Sequence, residues 1–245
     1  MLKRLIEGRW LTANGVIGLY PANTVNDDDI EIYTDDNRTE VAMTWYGLRQ
    51  QTEKQVIDGV MRPSRCLADF IAPRSSGLKD YIGVFAVTAG IGVEKKEKYF
   101  LDDLDDYSAI TLKALADRLA EAFAECLHHR VRTDLWGYAP NEKLDNTELI
   151  AEKYRGIRPA PGYPACPDHS AKRDMFRLLQ CDEIGMGLTS SLAMTPAASV
   201  SGFQLSHPES AYFNVGKIGD DQLADMAQRR GIAAADLQRL VGSNL

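Results

Sequence analysis

Twelve consecutive residues hold most of the chemistry this sequence offers. They read Arg158-Pro-Ala-Pro-Gly-Tyr-Pro-Ala-Cys-Pro-Asp-His169, with four prolines and one glycine. Proline removes backbone donors and locks φ, so this run can be neither helix nor central strand and must be an ordered loop. A loop stiffened by proline loses less entropy when a ligand arrives, and Gly162 permits close backbone approach. Arg158 can take a carboxylate in a bidentate fork, while Tyr163 offers an aromatic face with a hydroxyl at its edge. Together they suit an amino-acid-like ligand with an aromatic portion. Composition alone fits a proline-rich surface connector better still.

Other reactive residues form weaker patterns. His128 and His129 are neighbours, about 100° apart on a helix, which argues for helix-end capping rather than a shared metal. Cys166, His169 and His207 match no established zinc spacing, and His169 reads as a local hydrogen-bonding residue. Gly83, Gly90 and Gly92 lie in a strand-like stretch, but there is no GxGxxG and no helix is expected directly after it, which disfavours a Rossmann-type methyltransferase. Neither a Walker loop nor a Ser-His-Asp order suggests nucleotide use or hydrolysis.

The elements that would position the loop are legible from periodicity. Residues Met1 to Arg9 read as a short helix, Asn14-Gly15 as a turn, and Val16 to Tyr20 as a strand. Further strands are expected at Ile30 to Tyr33, Thr39 to Tyr46 and Tyr81 to Val87, from their β-branched and aromatic content. From Leu104 to Arg130, Leu112, Leu115, Leu119, Phe123 and Cys126 recur at three- and four-residue steps, the pattern of a long amphipathic helix. Asp145 and Glu148 form a capping box for a helix through Tyr154. Asp168 is the expected N-cap of a helix over Ala171 to Cys181, with Met175, Leu178 and Leu179 on its apolar side. Strands at Ser199 to Leu205 and Tyr212 to Ile218 precede two closing helices, ended by Gly231 and Gly242. Strand runs separated from helix runs predict an α+β domain with a bent, largely antiparallel sheet flanked by helices. No internal repeat or linker divides residues 1–245.

Composition narrows the setting. The chain is 44% hydrophobic over 245 residues, enough for a substantial core. Its longest apolar runs are far below the roughly 20 residues of a membrane span, and no signal peptide opens it, so a cytoplasmic protein is expected. Cysteines 66, 126, 166 and 181 form no CxxC pair, so reduced thiols are the default. The net charge is −7, with acidic clusters at Asp27 to Asp29 and around Asp102 to Asp106. Such a surface repels phosphate backbones, which argues against nucleic acid as a partner.

The run RPAPGYPACPDH closely resembles the signature loop of the activation domain of cobalamin-dependent methionine synthase. The resemblance extends in order through Gly18 to Asn23, Asp29 to Tyr33, Leu48 to Lys54, Cys66 to Phe70, Lys113 to Glu125, Trp136 to Glu142 and Ser199 to Gly202. It implies a loop that binds S-adenosylmethionine, with Arg158 on the carboxylate, the backbone of Ala160 nearby, and Tyr163 at the methyl-donor side facing the corrin. It also implies a second binding segment at Tyr212-Phe213 after Ser206-His207-Pro208, where Phe213 stands in place of the family's commoner tyrosine. A helix glutamate near the sulfonium falls on Glu121, which lies about 180° from the Leu112, Leu119 and Phe123 stripe and so reads by itself as a solvated face. Asp117, one turn earlier, is a weaker candidate for polar contacts with the cobalamin domain.

The activity implied is methyl transfer from S-adenosylmethionine to cobalamin, bound by a separate domain, after oxidation to the cob(II) form. A flavodoxin or flavoprotein reductase would supply the electron. The chain's contribution would be positioning and water exclusion, with no general base. The alternative is a module that senses S-adenosylmethionine or docks the reductase without part in the transfer. An independent small-molecule methyltransferase would need a titratable base that the sequence does not nominate. Methionine synthesis by the chain alone is not expected, because it carries no homocysteine zinc site, folate barrel or DxHxxG motif. Family members carry residues before the point matching Met1, including an aspartate for the ligand's amino group, so the amino-terminal part of the family domain is expected to be missing here.

Overall fold

The computed structural model describes residues 1–52, 56–57 and 59–242, so Glu53 and Lys54 of the Leu48 to Lys54 match lie outside it. α1 (Leu2–Glu7) leads into β1 (Thr12–Val25), β2 (Asp29–Tyr33) and β3 (Val41–Tyr46), and a hairpin of β4 (Val56–Ile57) and β5 (Val60–Met61) precedes β6 (Asp80–Ile91). Next come α2 (Val93–Asp102), α3 (Asp106–Arg130), α4 (Asn146–Ile150) and α5 (Ala171–Leu178). A small β7 (Gly187–Leu188) and β8 (Met194–Thr195) pair, β9 (Ser199–Gln204), α6 (Asp220–Arg230) and α7 (Ala234–Leu240) complete the chain. The main sheet has the order β3-β2-β1-β6-β9 and is antiparallel throughout. The expected α+β class is the one the chain adopts.

Burial explains the central strand's composition. Ile82, Val84 and Ala86 of β6 point into the main core with Ile30, Ile32, Trp45 and Phe203. On the opposite face Phe85 and Val87 meet Ala124 of α3. A strand covered on both sides needs apolar residues at both parities, which accounts for the unbroken apolar run.

α3 lies on the sheet chiefly by a line of alanines, with Leu119 and Phe123 of the expected stripe packed beside it. Its fully buried apolar residues are Ala109, Leu112, Ala116, Ala120 and Ala124. Alanine at four-residue spacing lets the helix axis approach the strands closely. Leu115 and Leu119 are half-buried against α2 and Trp10, and Cys126 is exposed. The helix does not end at His128-His129; it continues into a π-helical turn, Val131–Leu135.

Other expectations are corrected by contacts distant in sequence. Asn14 and Gly15 form no turn: they pair with Thr88 and Val87 inside β1. Asn14 Nδ2 donates to the Ile184 carbonyl (3.0 Å), and a Cβ on Gly15 would stand 2.9 Å from the Phe123 ring. A helix, α2, does follow Gly92 directly, but β6 has only antiparallel neighbours, so no Rossmann unit results. Asp168 does not cap α5, whose N-cap is Ser170; Asp168 instead accepts from the Ser170 N–H and Oγ and pairs with Arg230 at 2.6 Å. The Asp145 to Glu148 capping box is present, although its helix stops at Ile150. Tyr212 to Ile218 is not a strand. That segment spends its groups on the loop, with the Val215 N–H donating to the Pro164 carbonyl at 2.9 Å.

Candidate ligand cavity

The proline-rich loop is held as an ordered structure from three sides. Ile157 and Leu205 exchange N–H···O bonds at 3.0 Å, and the Phe203 N–H donates to the Pro159 carbonyl at 2.8 Å, so the loop begins as an extension beside β9. Pro159 needs no donor at this outer edge. Within the loop the Gly162 N–H donates to Cys166 O (2.7 Å) and the Cys166 N–H to Tyr163 O (2.9 Å). Cys166 is fully buried, accepts from Trp45 Nε1 at 3.3 Å, and has its thiol pushed up to about 12 by burial. It is a packing residue, protonated at neutral pH.

Gly162 has φ of 98°, and a Cβ there would stand 2.1 Å from His169 Cε1. Its close approach is therefore to His169, and it does not line the cavity. His169 accepts at Nδ1 from the Lys172 ammonium (3.0 Å), which also donates to Leu192 O. Burial lowers the pKa of both His169 and Lys172. His169 is the local hydrogen-bonding residue expected.

Between α3, this loop and the segment after β9 lies a cavity of about 510 Å³. It gathers Glu121, Arg158, Ala160, Tyr163, Tyr212 and Phe213 on a floor of Phe85 and Val200. Three segments distant in sequence thus converge on one concave space. Glu121 reaches it because it is rotated about 100° from Ala120, off the buried alanine line and toward the loop. Tyr163 is 59% exposed at the rim. The Tyr212 hydroxyl accepts from the Arg158 backbone N–H at 2.9 Å, and burial raises its pKa.

Asp117 is placed elsewhere. It lines a separate hollow of about 650 Å³ beside α2, with Lys113 and Pro196. A third hollow, about 800 Å³, borders Asn26 and Asp69, and its Arg49 is engaged by Asp28 and Asp69 at 2.7 Å each. Size does not make either the better candidate, because among the described residues neither is lined by an aromatic side chain.

Two features of the cavity escaped sequence reasoning. Glu152 lines it from a left-handed backbone position, φ 54°, just past the end of α4. Glycine or asparagine at that position would have signalled the conformation; glutamate does not. Arg158, meanwhile, is already engaged: its Nη2 lies 2.6 Å from Glu125 Oε2, and its Nη1 donates to Tyr154 Oη (3.1 Å) and His128 Nδ1 (3.2 Å). Glu125 and His128 are four and seven residues beyond Glu121, a helical stripe visible in sequence only once Arg158 is known to face it. With Glu121 and Glu152 beside a guanidinium neutralised by Glu125, the cavity favours a ligand carrying positive charge.

Among the described residues no group of three or more His, Cys, Asp or Glu side chains is placed to hold a metal ion, and no helix is long and apolar enough to cross a membrane.

Residues 1–231 match the family described as the vitamin B12 dependent methionine synthase activation domain. A solved structure described as the MetH reactivation domain bound to AdoHcy is 52% identical, with a TM-score of 0.93 over 100% of this chain and 74% of that one.

Proposed function

We propose that this chain, which belongs to the family of vitamin B12 dependent methionine synthase activation domains, binds S-adenosylmethionine in the 510 Å³ cavity and positions it for methyl transfer to cobalamin. The observation that carries this reading is the convergence of Arg158, Tyr163, Tyr212, Phe213 and Glu121 on one space. Arg158 would take the carboxylate through its Nε and the open side of Nη2. Tyr212, Phe213 and Phe85 would enclose the adenine, and Glu121 and Glu152 would face the ammonium and sulfonium charges. The solved relative bound to AdoHcy supports a ligand of this class.

The fit extends to a large planar partner. Tyr163 offers an exposed ring at the cavity rim, where a macrocycle presented by a separate cobalamin-binding domain would close the site. Reduced cobalamin supplies the nucleophile for the methyl group. The residues here would orient the sulfonium and exclude water, an effective-concentration effect that needs no proton transfer. A flavodoxin or flavoprotein reductase is the partner this chemistry needs for the electron.

Calorimetric titration of the chain with S-adenosylmethionine tests the binding claim, and an absence of heat at millimolar ligand overturns it. Methylation of free cobalamin by the chain with a chemical reductant separates a positioning domain from a module that only senses the ligand.

A further inference from the structure

Behind the cavity, Arg158 is held by groups that do not themselves reach the ligand space. His128 is fully buried and Tyr154 nearly so. Their rings meet edge to face, centroids 5.1 Å apart. The Arg132 guanidinium covers Tyr154 at 4.4 Å and is itself locked to Glu142 at 2.7 Å. Three of the five N–H groups of Arg158 are thereby spoken for, two on Nη1 and one on Nη2.

Arginine cannot accept a hydrogen bond, so His128 Nδ1 must be the acceptor and the ring proton must sit on Nε2. Among the described residues that buried Nε2–H has no acceptor. Burial first, then the cations Arg132 and Arg158, hold the imidazole neutral, with its pKa down to about 2. A buried imidazole with an unmatched donor is a poor core residue, and an apolar side chain would fill the space without that cost. What the imidazole alone supplies is a fixed acceptor at Nδ1.

We propose that His128 is a positioning residue for ligand recognition: its Nδ1 fixes the Nη1 end of Arg158, so that Nε and the remaining Nη2 hydrogen meet the ligand's carboxylate. This rests on the reading of the cavity as an S-adenosylmethionine site. Its signature is selectivity, since a residue acting only through Arg158 matters only to a ligand that has the carboxylate.

The test is titration of the chain with S-adenosylmethionine and with its decarboxylated analogue. His128→Leu should weaken binding of S-adenosylmethionine about tenfold and leave the analogue within about twofold, while His128→Asn, which keeps an acceptor near Nδ1, should restore most of the loss. Equal losses for both ligands, or no loss for either, overturn the proposal. If His128→Leu does not fold, His128→Gln, whose longer side chain carries its amide to the Nε2 position and leaves the place of Nδ1 empty, should show the same selectivity. A wild-type chain that binds neither ligand overturns the underlying site assignment, and this proposal with it. Wild-type binding without carboxylate-selective loss overturns this proposal only.

Discussion

Arg158 Nη2 and Glu125 Oε2 are 2.6 Å apart, so the guanidinium that lines the cavity is neutralised from within the chain. Both side chains retain some exposure, 22% and 27%, and the pair shares its field with solvent. A ligand carboxylate would therefore join a partly satisfied arginine.

Replacing Arg158 removes a charge-assisted contact and strands Glu125, whose Oε1 is already buried with no partner among the described residues. Arg158→Ala is expected to weaken S-adenosylmethionine binding by about 1.5–3 kcal/mol. It should also lower the melting temperature. Adding Glu125→Gln should recover much of the melting temperature and none of the affinity, which calorimetry and thermal unfolding on the same samples would show. Unchanged affinity would remove Arg158 from the site.

Tyr163 stands at the rim with its ring exposed. Tyr163→Phe is expected to leave ligand affinity within about tenfold and to change remethylation in the complete cobalamin system, because only the outer hydroxyl is lost. Loss of binding with normal turnover would place the hydroxyl on the ligand instead.

Gly162 combines φ of 98° with a Cβ position 2.1 Å from the His169 ring. Gly162→Ala is expected to destabilise the domain by about 3 kcal/mol, from left-handed strain and from displacement of His169. Chemical unfolding measures this directly. A loss under about 0.5 kcal/mol would mean the loop adapts freely.

His128 supplies a pH dependence of stability. Its pKa is 6.5 when unfolded and falls to about 2 in the folded chain through burial, with Arg132, Arg158 and His129 adding to the shift. Between those values the unfolded chain binds a proton that the folded one excludes, so stability is full above about pH 6.5 and falls as the pH drops toward 2. Unfolding free energies from pH 4 to 7 should rise more steeply for the wild type than for His128→Asn. Parallel curves would show that the imidazole is not held neutral.

Much of this protein follows from local pattern. The long helix, the Asp145 to Glu148 capping box, the Gly231 stop and the strands of the sheet depend on residues within a turn or a strand of one another, and a reader of the sequence finds them. The stiffness of the Arg158 to His169 loop is equally local, since proline restricts its own φ wherever it stands. The ligand proposed for it comes only from the resemblance to a known family, because a rigid loop with an arginine and a tyrosine is chemically ambiguous.

The tertiary structure decided what lies opposite each group. Asn14-Gly15 is a turn by composition and a strand in fact, because Phe123 requires a glycine beneath it and Ile184 supplies the asparagine's acceptor. On α3 an alanine line faces the sheet, with Leu119 and Phe123 beside it, since small residues permit the closer approach. Tyr212 to Val215 abandon strand pairing to hold Arg158 and Pro164. Glu125 and His128 become part of the site only because a segment some 30 residues later brings Arg158 against their face of the helix, a juxtaposition that no spacing within α3 encodes.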